Sequence, residues 1–107
     1  MTTVEILRAA REKISDPSRW TRLTYARDQL GAEVDADDKS AVCFCSMGAI
    51  YSVTSDDFCG QNRAVSLLYN AAHEISGSRS VVRVNDNLGH EAVVRMFDLA
   101  ITTAEGL

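Results

Sequence analysis

The stretch Ala41-Val42-Cys43-Phe44-Cys45-Ser46-Met47-Gly48-Ala49-Ile50-Tyr51-Ser52-Val53 carries no charge. Nearly every side chain in it is apolar or small, which predicts a helix over Ala41–Val53 capped by Ser40 or Asp38. A helix apolar on every side belongs at the centre of a domain, with neighbours all round. Ala41, Cys45, Gly48 and Ser52 form a stripe of small side chains at helical spacing. Gly48 costs ~1 kcal/mol relative to alanine inside a helix. Close backbone approach by a neighbouring element is the simplest compensation.

Before this stretch, Leu23 and Tyr25 alternate with polar residues, and Asp28-Gln29-Leu30-Gly31 reads as a turn. With Ala32, Val34 and Asp35 following, residues 22–35 predict a short β-hairpin. The connection onward is acidic, with Asp35, Asp37 and Asp38. At the N-terminus Thr2 and Glu5 have the spacing of a capping box, in which each side chain satisfies a backbone N–H. Val4, Leu7, Ala10 and Ile14 then recur every three or four residues and share one helical face. Asp16-Pro17 ends that helix, because the residue before proline is pushed out of the α region. Trp20 follows, bulky enough to fold back over the core as a lid.

After the central stretch, Ser55-Asp56-Asp57 places acids at the positive end of a third helix. Its buried face is Ala64, Leu67, Leu68, Ala71 and Ile75, and Gly77 closes it. Ser80–Val84 reads as extended. Asn85-Asp86-Asn87 is expected to cap a last helix, whose buried face is Val93, Met96, Phe97, Ala100, Ile101 and Ala104. The fold expected is mainly α (α+β): one domain over residues 1–107, with four helices, a central apolar helix and a small β-hairpin.

The 107 residues suit one domain. Apolar residues make up 46 % and charged residues 24 %, which excludes a disordered chain. No run reaches the ~18 apolar residues of a membrane helix. The N-terminus breaks its apolar positions with charges, so a signal peptide is not expected and the cytoplasm is. An odd set of cysteines, Cys43, Cys45 and Cys59, then argues against disulfides and for small buried apolar groups. The net charge is −4 and uneven. Residues 1–27 hold six basic side chains against three acids, and residues 28–60 hold Lys39 against seven. An acidic whole argues against nucleic-acid binding, which needs a dense basic face.

Several pieces in a fixed order carry a resemblance. They are Leu7-Arg8-Ala9-Ala10 then Trp20, Tyr25-Ala26-Arg27-Asp28 with Gly31 and Val34-Asp35, and Cys45-x-x-Gly48-Ala49. Asn85-Asp86 and Phe97-Asp98-x-Ala100-Ile101 complete the set. Together they resemble a family of small uncharacterised proteins of bacteria and their phages. The family pattern often has tryptophan directly before the cysteine, where this chain has Phe44. The resemblance implies an architecture and no mechanism.

Three chemistries can be weighed from residue types. A zinc site from Cys43, Cys45 and Cys59 with His73 or His90 needs converging ligands. On a helix, Cys43 and Cys45 would diverge by roughly 200°, so no metal and no cofactor is expected. A thiol nucleophile, Cys45 or Cys59 with His90 as base and Asp86 as orienter, follows the general recipe. Burial in an apolar helix would quiet Cys45, while Cys59 near a helix start would favour thiolate. The six glycines stand apart and form no phosphate loop. His73 reads as a boundary histidine bonded to a nearby acid. The acidic run Asp28–Asp38 lacks the pattern of a calcium hand, yet it presents negative charge to any basic partner.

Elimination leaves a small protein-binding or regulatory module that acts by occupying a partner's surface, such as that of a host or phage enzyme. The candidate binding residues are Asn85, Asp86 and His90 in the loop before the last helix, with Trp20. The alternative is a small enzyme or ligand-binding protein using the Asn85–His90 loop with Cys45. A structural homodimer is the third reading.

Overall fold

The capping box forms as the spacing predicts. In a computed structural model that describes residues 1–107, Thr2 Oγ1 accepts from Glu5 N–H at 3.1 Å and Glu5 Oε1 accepts from Thr2 N–H at 2.8 Å. Helix α1 follows over Thr3–Ile14 and buries Ile6, Leu7, Ala10 and Ile14. Asp16 then caps a single 3-10 turn, Pro17–Arg19, which delivers Trp20 to the edge of the core.

The hairpin is present but minimal. Strands β1 (Ala26–Arg27) and β2 (Glu33–Val34) pair antiparallel, with Ala26 opposite Val34. Asp28 Oδ1 holds the turn by accepting from the N–H groups of Leu30 and Ala32, both at 2.9 Å. The other edge of β1 is taken by a third strand, β3 (Cys43–Phe44), giving the order β2-β1-β3.

That third strand corrects the reading of Ala41–Val53 as one helix. Helix α2 covers only Ser46–Val53, and Cys45 is its N-cap in extended conformation, Sγ accepting from Gly48 N–H at 3.2 Å. Asp38 and Ser40 cap no helix; Asp38 Oδ1 accepts from the N–H and hydroxyl of Ser40 in a tight turn. A continuous apolar run fits a buried strand as well as a buried helix. Here the free edge of β1 decides, because Arg27 O accepts from Val42 N–H and Tyr25 O from Cys45 N–H. Within α2 the centre is as apolar as expected: Ser46 to Ile50 are all buried. Gly48 lies so close to the chain just before β1 that an added Cβ would sit 2.0 Å from Tyr25 O.

Helix α3 (Phe58–Ser76) starts at Asp57, whose Oδ1 accepts from Gly60 N–H, and ends at Gly77. Ala64, Leu68, Ala71 and Ala72 are buried along it, with Leu67 and Ile75 at the margin. Ser80–Val84 is helical rather than extended. Ser80 Oγ caps a single turn, α4 (Val81–Arg83), which continues as a wider π-type turn over Val84–Leu88. Val81 and Val84 are buried while Val82 is exposed, so the three-residue helical spacing wins over strand alternation.

The last helix, α5 (His90–Glu105), buries Val93, Met96, Phe97, Ala100 and Ala104. It starts at Gly89, whose φ of 92° suits glycine and few other residues. Asn85, Asp86 and Asn87 therefore do not cap it. Five helices replace the four expected, the extra one being the short α4. Helices α1, α3 and α5 pack against one another, and α2 packs on α1. The Arg8–Glu105 and Arg11–Asp98 ion pairs tie α1 to α5 across their exposed sides. No helix is long and apolar enough to cross a membrane.

Candidate functional site

Asn85 is 2 % exposed, and its amide is fully engaged. Oδ1 accepts three bonds: from Trp20 Nε1–H at 2.8 Å, from Ser46 N–H at 2.9 Å and from Ser46 Oγ–H at 2.7 Å. Nδ2 donates to Thr21 O and to Asp86 Oδ1, each at 3.0 Å. The partners fix the orientation of the amide, because indole and backbone N–H groups only donate and a carbonyl only accepts. One side chain thus joins the segment after α1, the start of α2 and the π-type turn. A buried polar network of this kind specifies one arrangement when every member is satisfied, and no buried side-chain polar atom in the chain lacks a partner.

Asp86 extends the clasp. Its Oδ1 also accepts from Leu23 N–H at 3.1 Å. Leu23 is the sole non-glycine residue with positive φ, at 72°, and its side chain is 75 % exposed. A branched residue held there costs on the order of 1–3 kcal/mol, and such strain concentrates at binding and switch segments.

The three elements joined by Asn85 enclose an open cleft of about 360 Å³, at the small end of the range for ligand pockets. Met47, Val81 and Cys45 supply buried walls, and Leu23, Tyr25 and Val82 form an exposed apolar rim. Asp86 is the one charged residue lining it. Tyr25 is braced by an edge-on contact with Tyr51, ring centroids 5.4 Å apart. Burial pushes the Cys45 thiol above its ordinary pKa and the charge of Asp86 adds to this, against the N–H groups of Gly48 and Met47. Cys45 is therefore a neutral thiol at pH 7.

The candidate residues divide. Asn85, Asp86 and Cys45 meet at the cleft, and Trp20 braces it from behind through Asn85. His90 turns elsewhere: Nε2–H donates to Ile14 O at 2.7 Å, and its ring packs edge-on with that of Trp20, centroids 5.6 Å apart. It does not line the cleft, so the Cys45–His90–Asp86 grouping is not assembled. Cys43 points its thiol at Arg27 O, Cys59 is exposed, and no three metal-binding side chains converge. Cys43 and Cys45 do not diverge by a helical 200°, since Cys43 lies on strand β3 and Cys45 is the cap of α2. His73 is exposed and bonds no acid through its ring. Leu23, Ser46, Met47 and Val82 were not anticipated. In sequence Ser46 beside Cys45 reads only as helix interior, and the backbone of Leu23 has no sequence signal.

The fold and site define a mainly helical protein with a small antiparallel sheet and one apolar-rimmed cleft clasped by an asparagine. Residues 1–103 match the profile of a family of unknown function, DUF6197. The chain belongs to that family. No curated protein and no solved structure matches it.

Proposed function

We propose that the protein is a cytoplasmic protein-binding module that docks on its partner through the cleft between Leu23, Met47 and Val82. The observation that carries this reading is the exposed apolar rim on a fixed frame. Leu23, Tyr25 and Val82 are 75, 53 and 58 % exposed around buried Met47, while Asn85 locks the walls that present them. Exposed apolar residues grouped at a concave site mark contact surfaces, unlike the same residues scattered singly. The module acts by occupying the partner's surface, and the resemblance to phage and bacterial proteins suits a host or phage enzyme as that partner.

The test is site-specific photo-cross-linking in cells, with a photoreactive residue at Leu23, at Val82 and, as control, at Glu74 on α3. One protein species captured from Leu23 and Val82 but not from Glu74 is the expected result. Capture from Glu74 alone, or from none of the three, contradicts the reading. A second reading, a small-ligand site, draws support from Cys45 and Asp86 facing the same cleft. Native mass spectrometry separates the two, since a small ligand adds a discrete mass to the purified chain and a structural homodimer doubles it.

A further inference from the structure

The cleft does not end at Tyr25. Thr24 and Tyr25 also line a neighbouring depression with Glu33, Asp35 and Asp38, and Tyr25 lines a third with Asp35 and Asp37. The surface runs from an apolar pocket, past one exposed aromatic ring, to a row of carboxylates. No lysine or arginine lines any of the three hollows. Two nearby cations are engaged elsewhere. Arg27 donates to Thr21 Oγ1, Gly31 O and Arg22 O, and the Arg22 guanidinium sits 4.9 Å from the centroid of the Trp20 ring. Asp86 uses Oδ1 for both of its bonds, which leaves Oδ2 open to a donor entering the cleft. This arrangement repels phosphates and acidic chains and attracts cations.

Resting on the docking reading above, we infer that the occupant is an extended basic segment of the partner protein, anchored by one apolar side chain in the pocket. A lysine or arginine beside the anchor donates to Asp86 Oδ2. Further cations follow the face of Tyr25, which itself attracts them, toward Asp35 and Asp37. An extended segment suits the row because it turns alternate side chains to one face at ~3.3 Å per residue. A compact ligand would fill one hollow and leave the acidic row unused.

The test selects mRNA-displayed random decapeptides on the full chain. The consensus peptide is then measured by fluorescence anisotropy, and amide shifts show where it sits. The expected consensus is one large apolar residue flanked by Lys or Arg. Its affinity should fall about tenfold with Asp86→Asn, again with Asp35→Asn/Asp37→Asn, and steeply with added salt, as screened charge pairs do. Asparagine at position 86 keeps an oxygen for Leu23 N–H, so an unchanged Tm shows that the clasp survives. If neutral or acidic peptides are selected while shifts still map to Leu23, Met47 and Val82, the inference fails and the docking reading stands. If no peptide is selected, the inference fails. If shifts map elsewhere, or the cleft is covered only by a second copy of the chain, both fail.

Discussion

Replacing Gly48 by alanine adds one methyl group at a position fixed by the helix, 2.0 Å from Tyr25 O and 2.8 Å from Tyr25 C. Both neighbours are backbone, so no side chain can swing aside. The chain at Tyr25, just before β1, or helix α2 must shift by more than 1 Å to reach ordinary contact at ~3.4 Å or beyond. Overpacking of this kind costs ~1–3 kcal/mol. The shift also breaks the Cys45 N–H to Tyr25 O bond, 3.1 Å in the structure, at ~1 kcal/mol. Against these stands the helix-propensity gain of ~1 kcal/mol. The net is a loss of ~1–3 kcal/mol, which lowers Tm by about 5–20 °C in a chain this size. Differential scanning calorimetry with circular dichroism reads it directly. If Gly48→Ala melts at or above wild type, the close approach of α2 to β1 is refuted.

Asn85→Ala leaves four groups without their partner, among them the buried N–H of Ser46. It should cost at least ~3 kcal/mol at ~1–3 kcal/mol per orphaned group, read by urea melts, with Trp20 fluorescence shifting red; a loss under 1 kcal/mol removes Asn85 as the organising residue. His90→Ala should cost ~0.5–1.5 kcal/mol through its bond to Ile14 O; thermal melts that overlay wild type would refute the bond. Cys45 should react with iodoacetamide far more slowly when folded than in denaturant, and Cys59, which is exposed, should react fastest. The raised Cys45 pKa also fixes the sign of a pH effect. Above the thiol's ordinary value of 9.0 the unfolded chain ionises first, so stability falls as pH rises through the alkaline range. The fall should shrink in Cys45→Ser, which keeps an oxygen cap; an identical alkaline loss in both proteins would refute the assignment.

Local chemistry was legible and non-local chemistry was not. Thr2 with Glu5, Asp57 with Gly77, and the turn at Asp28 to Gly31 each act on neighbours within a few residues. Their readings match the structure. The run from Ala41 to Val53 has no polar face to set against its apolar one, and its division into β3 and α2 depends on an edge offered by Tyr25 and Arg27. In sequence Asn85 reads as a cap or a binding residue, because capping is the commonest local use of asparagine. Apart from Asp86 beside it, its partners lie 39 to 65 residues away in sequence. The same distance hides His90, whose acceptor is 76 residues earlier. Residue type thus marks candidates such as Asn85 and Asp86, while only the fold groups them with Cys45 at the cleft.

The most direct test is amide hydrogen exchange of the full chain, alone and bound to the protein captured from Leu23. Protection should rise in residues 21–25, 45–47 and 81–88 and stay unchanged along the outer faces of α3 and α5. Protection confined to α3 and α5, with the cleft segments exchanging as in the free chain, would contradict docking at the cleft.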